Sequence, residues 1–143
     1  MPASNIFLVP VDFSRGSERA LDYALSLARE RKGKVVALHV VPVELVYPPT
    51  AGKFNFYRFL ESDAQEKFKK LVKRKKLKPA DCRFMVARGI DFADIIARQA
   101  KKLRAAMIVM GSHGRTGLQR FLLGSVAERT LRYADCPVLI VKK

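Results

Sequence analysis

Acidic side chains are scarce in this sequence. Thirteen Asp and Glu stand against twenty-eight Lys and Arg, a formal net charge of +15 over 143 residues. Such an excess favours polyanions as a class (nucleotides, nucleic acid, acidic membrane surfaces) and gives solubility and steering, without naming a partner. Cysteine is nearly absent: Cys82 and Cys136 lie far apart and form no CxxC pair, so the expectation is two buried thiols in a reducing compartment. No uninterrupted apolar run approaches the roughly 20 residues of a membrane-spanning helix. The opening MPASNIFLVPVDFS has no basic residue ahead of its apolar stretch. It does not read as a secretory signal, and a cytoplasmic location follows by default. Two phosphate-binding signatures are also missing: neither GxxxxGK[ST] nor GxGxxG occurs, which removes the usual P-loop and dinucleotide folds.

What is present is a chain of single-domain length with 49% apolar residues, enough to bury a core and too apolar for disorder. Five short runs are apolar at nearly every position: residues 6–11 (IFLVPV), 35–41 (VVALHVV), 84–87 (FMVA), 106–110 (AMIVM) and 138–141 (VLIV). Continuous rather than alternating apolarity is the mark of strands buried on both faces, as in parallel sheets. Between them, apolar residues recur at helical period. Ala20, Leu21, Ala24, Leu25, Leu27 and Ala28 form one stripe, with Ser14 placed to cap it and Gly33 to stop it. Leu60, Ala64, Phe68, Leu71 and Val72 form a second, ended by Pro79. Phe92, Ile95, Ile96, Ala100 and Leu103 form a third, capped by Asp91. Val126, Ala127, Thr130 and Leu131 form the last. The order β-α-β-α-β-α-β-α-β predicts an α/β fold, a parallel sheet with helices on both faces.

One segment breaks the rhythm. Residues 42–57 (PVELVYPPTAGKFNFY) are too long for an ordinary connection and carry Pro48-Pro49, so they read as an excursion after the second strand. Residues 67–78 (KFKKLVKRKKLK) hold eight basic residues and no acid, while Phe68, Leu71 and Val72 keep helical spacing. This is either the solvated face of a packed helix or an electrostatic footprint for nucleic acid or membrane.

The stretch with chemistry in it runs from Met110 to Val126, MGSHGRTGLQRFLLGSV. It starts at the end of the fourth strand and finishes at the start of the last helix. Ligands of open parallel sheets sit beyond the carboxyl ends of strands. Glycine lets backbone N–H groups approach an anion, and the first turn of a helix adds unpaired N–H groups. Ser125 offers a hydroxyl, and Arg115 and Arg120 offer charge.

The spacing Gly111-x2-Gly114-x9-Gly124-Ser125 resembles the ATP-binding signature of the universal stress protein family, G-x2-G-x9-G-[ST]. The resemblance covers nearly the whole chain: IFLVPVDFSRGSERALDYALSLA is similar to that family's first strand and helix, ALHVV to its second strand and CPVLIV to its last. It implies a doubly wound five-stranded parallel sheet of order 3-2-1-4-5, with strands one and four side by side where the winding reverses. It also implies ATP, with or without Mg2+, as ligand. Pro10 and Val11 at the end of the first strand and Met110 at the end of the fourth would then flank the bound nucleotide, Asp12 would sit by the adenosine, and Val40 would line the adenine pocket. Gly111, His113, Gly114 and Arg115, with Gly124, Ser125 and Val126, would hold ribose and phosphates. A homodimer through the edge strand from Pro137 to Val141 is implied as well.

Each of these residues has a plainer reading. Asp12 caps or braces the first helix turn, His113 fills a loop, and His39, in an apolar strand, is a satisfied structural histidine. Three functions stay open: a nucleotide-binding regulator of the stress response, a slow ATPase or self-phosphorylating enzyme with His113 or Ser125 as actor, and a basic module for nucleic acid or a protein partner.

Overall fold

A computed structural model describes residues 4–43, 56–113 and 122–142. Five strands alternate with four helices: β1 (Ile6–Pro10), α1 (Arg15–Glu30), β2 (Lys34–Pro42), α2 (Phe56–Lys75), β3 (Cys82–Gly89), α3 (Phe92–Leu103), β4 (Met107–Gly111), α4 (Ser125–Tyr133) and β5 (Val138–Val141). The strands form one parallel sheet in the order β3-β2-β1-β4-β5, the order expected. β1 is central, and its Phe7, Leu8 and Val9 are all but inaccessible.

Successive residues of a strand point to opposite faces, and two cores result. Phe7, Val9, Val35 and Val109 meet α1 and α2 through Leu21, Leu25, Phe68 and Leu71. Leu8, Leu38, Ile108 and Met110 meet α3 and α4 through Ile96, Ala100 and Ala127. The continuous apolarity of the strands thus reflects burial on both sides.

The helix starts follow the expected chemistry. Ser14 caps α1 by accepting from the Ser17 N–H, and Asp91 caps α3 by accepting from the Asp94 N–H at 3.2 Å. The stop of α1 differs from expectation. Lys32, not Gly33, takes the left-handed conformation, at φ 52°. Gly33 serves close approach instead: a Cβ there would lie 2.5 Å from the Asn5 carbonyl oxygen and 2.7 Å from the Phe7 ring. The thiols also divide. Cys82 is buried, and burial pushes it up to about 11, whereas Cys136 is only partly covered. The expectation of two buried thiols is corrected for Cys136, which sits in the turn before an edge strand.

The ends of the expected excursion belong to regular structure, Pro42 to β2 and Phe56 and Tyr57 to α2; its middle lies outside the described residues. No helix among the described residues is long and apolar enough to cross a membrane. Part of the basic run is committed to helix pairing. Arg74 makes a two-pronged ion pair with Glu18 at 2.8 and 3.1 Å, and Lys75 reaches Asp22 at 2.8 Å. The Arg74 guanidinium beside Glu18 holds that carboxyl below its usual range.

Candidate functional site

β1 and β4 are neighbours although about a hundred residues separate them. β1 continues through α1 to β2 on one side, and β4 continues through α4 to β5 on the other. Past their carboxyl ends lies a cavity of about 560 Å³, within the range of small-molecule sites. Its floor is the ends of β1, β2 and β4.

The β1 exit is tightly tied. The Asp12 carboxylate accepts from the Ser14 N–H at 2.9 Å and from the Ser14 hydroxyl, and the Asp12 N–H donates to Ser17 Oγ at 3.3 Å. Asp12 therefore does brace the α1 turn, and it lines the cavity as well. Phe13 follows at φ 64°, a left-handed conformation uncommon for a bulky residue. Its ring lies 5.1 Å from His39 and 6.4 Å from Phe84. His39 Nδ1 is 2.7 Å from the Val11 carbonyl oxygen; a carbonyl can only accept, so Nδ1 carries the hydrogen. The structural role expected of His39 is met, in a cavity wall.

At the β4 exit, glycines bring backbone against backbone. A Cβ on Gly111 would sit 3.0 Å from the carbonyl carbon and oxygen of Gly16, one on Gly16 would sit 3.0 Å from the His113 oxygen, and one on Gly124 would sit 2.9 Å from the Ser112 oxygen. The Gly124 N–H donates to that Ser112 oxygen at 2.7 Å. The amide of Gly124 is thus spent on the fold, and the N–H groups left facing outward come after it. Gly124 is the N-cap of α4 and offers no capping side chain. An α-helix cannot satisfy its own first N–H groups, and among the described residues no acceptor meets those of Ser125, Val126 and Ala127. Beside them His113 Nδ1 contacts Ser112 Oγ at 3.0 Å, while its Nε2 is buried with no hydrogen-bond partner among the described residues.

The third wall comes from α2. Leu60, Asp63 and Lys67 line it, with Lys67 Nζ 2.9 Å from Asp63 Oδ2 and 5.9 Å above the Phe13 ring.

Comparison with known proteins decides the lineage. The model of the universal stress protein family matches residues 4–142. Universal stress protein MJ0531 of Methanocaldococcus jannaschii is 38% identical over 138 residues, which cover 95% of this chain and 81% of that protein. The chain belongs to the universal stress protein family. Among solved structures, protein MJ0577 of the same archaeon resembles this universal stress protein with a TM-score of 0.80 at 28% identity, over 99% of this chain and 97% of that one. A universal stress protein from Archaeoglobus fulgidus, solved in complex with dAMP, does so with a TM-score of 0.66 at 26% identity, over 99% and 100%.

In this universal stress protein, ten of the residues singled out from sequence line one cavity: Pro10, Val11, Asp12, Val40, Met110, Gly111, His113, Gly124, Ser125 and Val126. Gly114, Arg115 and Arg120 lie outside the described residues. Sequence reasoning missed Ser17, Ser112 and the α2 wall. Ser17 was findable as the third residue after a capping Ser14. Asp63 and Lys67, four apart in the middle of a helix that follows the second strand, gave a fainter signal.

Proposed function

We propose that this universal stress protein binds ATP in the crevice beyond β1 and β4 and acts as a nucleotide-dependent regulator of the stress response. The observation that carries this reading is the gathering of unsatisfied polar groups on one wall of a mostly apolar cavity: the free N–H groups opening α4 and the buried Nε2 of His113. A buried polar atom without a partner costs about 1–3 kcal/mol, and a ligand that meets it recovers that cost. Phosphate oxygens suit the α4 start, where the helix dipole adds partial positive charge. The adenosine would then extend towards Val11, Asp12 and Val40. The dAMP complex of the Archaeoglobus relative supports an adenine nucleotide as the ligand class. Among the described residues no group of three His, Cys, Asp or Glu gathers, so Mg2+ would arrive on the triphosphate rather than on a protein cage.

Binding rather than efficient hydrolysis is the reading favoured, because phosphoryl transfer needs a positioned nucleophile and metal-borne neutralisation of charge, and the cavity's one described carboxylate near the α1 turn, Asp12, is occupied with Ser14. β5 supports a homodimer. It is an edge strand, and all four of its apolar residues are only partly covered, the kind of edge that pairs with a second chain.

Calorimetry with ATP, AMP and adenosine tests the ligand. ATP should bind tightest. At a hundredfold excess over Kd it should stabilise by about 2.7 kcal/mol and raise Tm by about 8–11 °C for a chain of this size. Gly124→Val, whose side chain meets the Ser112 carbonyl, should abolish the effect. No heat and no shift at millimolar ATP would refute the proposal. Light scattering on the same samples should give twice the chain mass.

A further inference from the structure

The turns that re-enter the sheet lie at its amino edge, opposite the cavity, and three of the four are strongly basic. Around the start of β2 lie Arg29, Arg31, Lys32 and the first strand residue, Lys34; before β3, Lys73, Lys76 and Lys78; before β4, Lys102 and Arg104. All nine are exposed, and among the described residues no ion pair engages any of them. The acids nearby are few. Glu30 ends α1 between Arg29 and Arg31 and is exposed. Asp81 accepts from the Lys78 backbone N–H, and Asp135 faces Lys101 at 3.8 Å.

Basic residues in the last turn of a helix complement its dipole, and that accounts for Arg29, Lys73 and Lys102. It does not account for those beyond the helix ends. In all three turns the residue at the left-handed position is basic: Lys32 at φ 52°, Lys76 at 53° and Arg104 at 52°. Glycine takes that conformation without steric cost. Three cationic side chains are kept where the backbone favours none.

We infer that this amino edge is a docking surface for duplex nucleic acid, held through its phosphates and independent of the nucleotide cavity. β3, β2, β1 and β4 are successive neighbours, so at about 4.8 Å between strands the three turns span about 15 Å. A duplex carries one charge per about 1.7 Å of axis with both strands counted, so about nine phosphates lie within that length, and the nine cations are enough for those that face the edge. Residues 29–34, 73–81 and 101–106 contain no aromatic side chain, so they offer single strands no stacking platform. They also expose no large apolar side chain that could enter a bilayer.

The test is fluorescence anisotropy with a labelled 20-base-pair DNA of arbitrary sequence, titrated at several salt concentrations. The triple variant Lys32→Gly, Lys76→Gly and Arg104→Gly relieves the backbone and is expected to fold, as circular dichroism and melting would verify. The control removes three charges elsewhere: Arg19→Gln, Arg98→Gln and Lys142→Gln. The wild type should bind at 50 mM salt, and the slope of log K against log salt should be shallower by about 2–3 in the glycine triple. That triple should lose at least tenfold in affinity at 50 mM salt, and the control less than threefold. Equal losses in the two triples, or no binding by the wild type, would overturn the inference. So would preference for phosphatidylserine vesicles over DNA, which would make the edge a membrane surface.

Discussion

At the carboxyl edge of the sheet the chain leaves β1 and β4 through turns that glycine lets interlock, and they leave N–H groups open to a cavity. At the amino edge it re-enters through short turns that place lysine or arginine where glycine would be easier. In the first case a side chain is absent so that backbone can approach backbone; in the second a side chain is present in spite of the backbone. Charge is divided likewise. Around the cavity the basic Lys67 is paired with Asp63, whereas the amino-edge cations have no acidic partner among the described residues. One scaffold therefore separates a site built from backbone geometry from a surface built from side-chain charge.

The comparison can be broken most severely at Gly111. Its Cβ would press on the Gly16 backbone, which cannot swing away as a side-chain end could. Gly111→Ala should cost about 2 kcal/mol in urea denaturation and weaken ATP binding, with DNA affinity unchanged. Equal damage to both ligands would mean that the edges are coupled. A smaller effect belongs to the amino edge. Cys82 opens β3, and burial lifts its thiol from 9.0 to about 11. A raised value means that the folded state holds the proton more tightly. The contribution is therefore complete below pH 9 and is lost as the pH climbs from 9 through 11, by at most about 2–3 kcal/mol. The difference in stability between wild type and Cys82→Ala, followed from pH 8 to 11.5, should shrink over that interval; a constant difference would contradict it. The smallest effect is expected from Lys32→Gly, where relief of the left-handed strain and the added freedom of the unfolded chain nearly cancel, within about 0.5 kcal/mol. A large loss would mean that Lys32 has a structural partner rather than a surface role.

Much of this was legible in the residues. Strands buried on both faces announce themselves as unbroken apolar runs, and α1 and α3 by stripe and cap, because these patterns follow from solvent exclusion alone. Asp12, Gly111 and Gly124 stood out through their place at strand and helix ends. Less legible was why the glycines are needed. Backbone approach to a ligand and backbone approach to backbone leave the same letter in a sequence, and only the placement of Gly16 against Gly111 separates them. The α2 wall was hidden for a related reason: Asp63 and Lys67 look like any surface pair until the helix brings Lys67 over the Phe13 ring at the rim of the cavity. The basic run at 67–78 read as one feature, but the fold splits it among a cavity wall, ion pairs to α1 and the turn before β3.

The adjacency of β1 and β4 also has a consequence for how the protein is made. At a synthesis rate of about 5–20 residues per second, roughly 5–20 s pass between the emergence of Ile6–Pro10 and that of Met107–Gly111. Through that interval the central strand has only β2 to pair with, and one of its flanks lacks its neighbour. The crevice takes one wall from the start of α4, so it is complete only after α4 has left the ribosome, later than either of the strands it lies between.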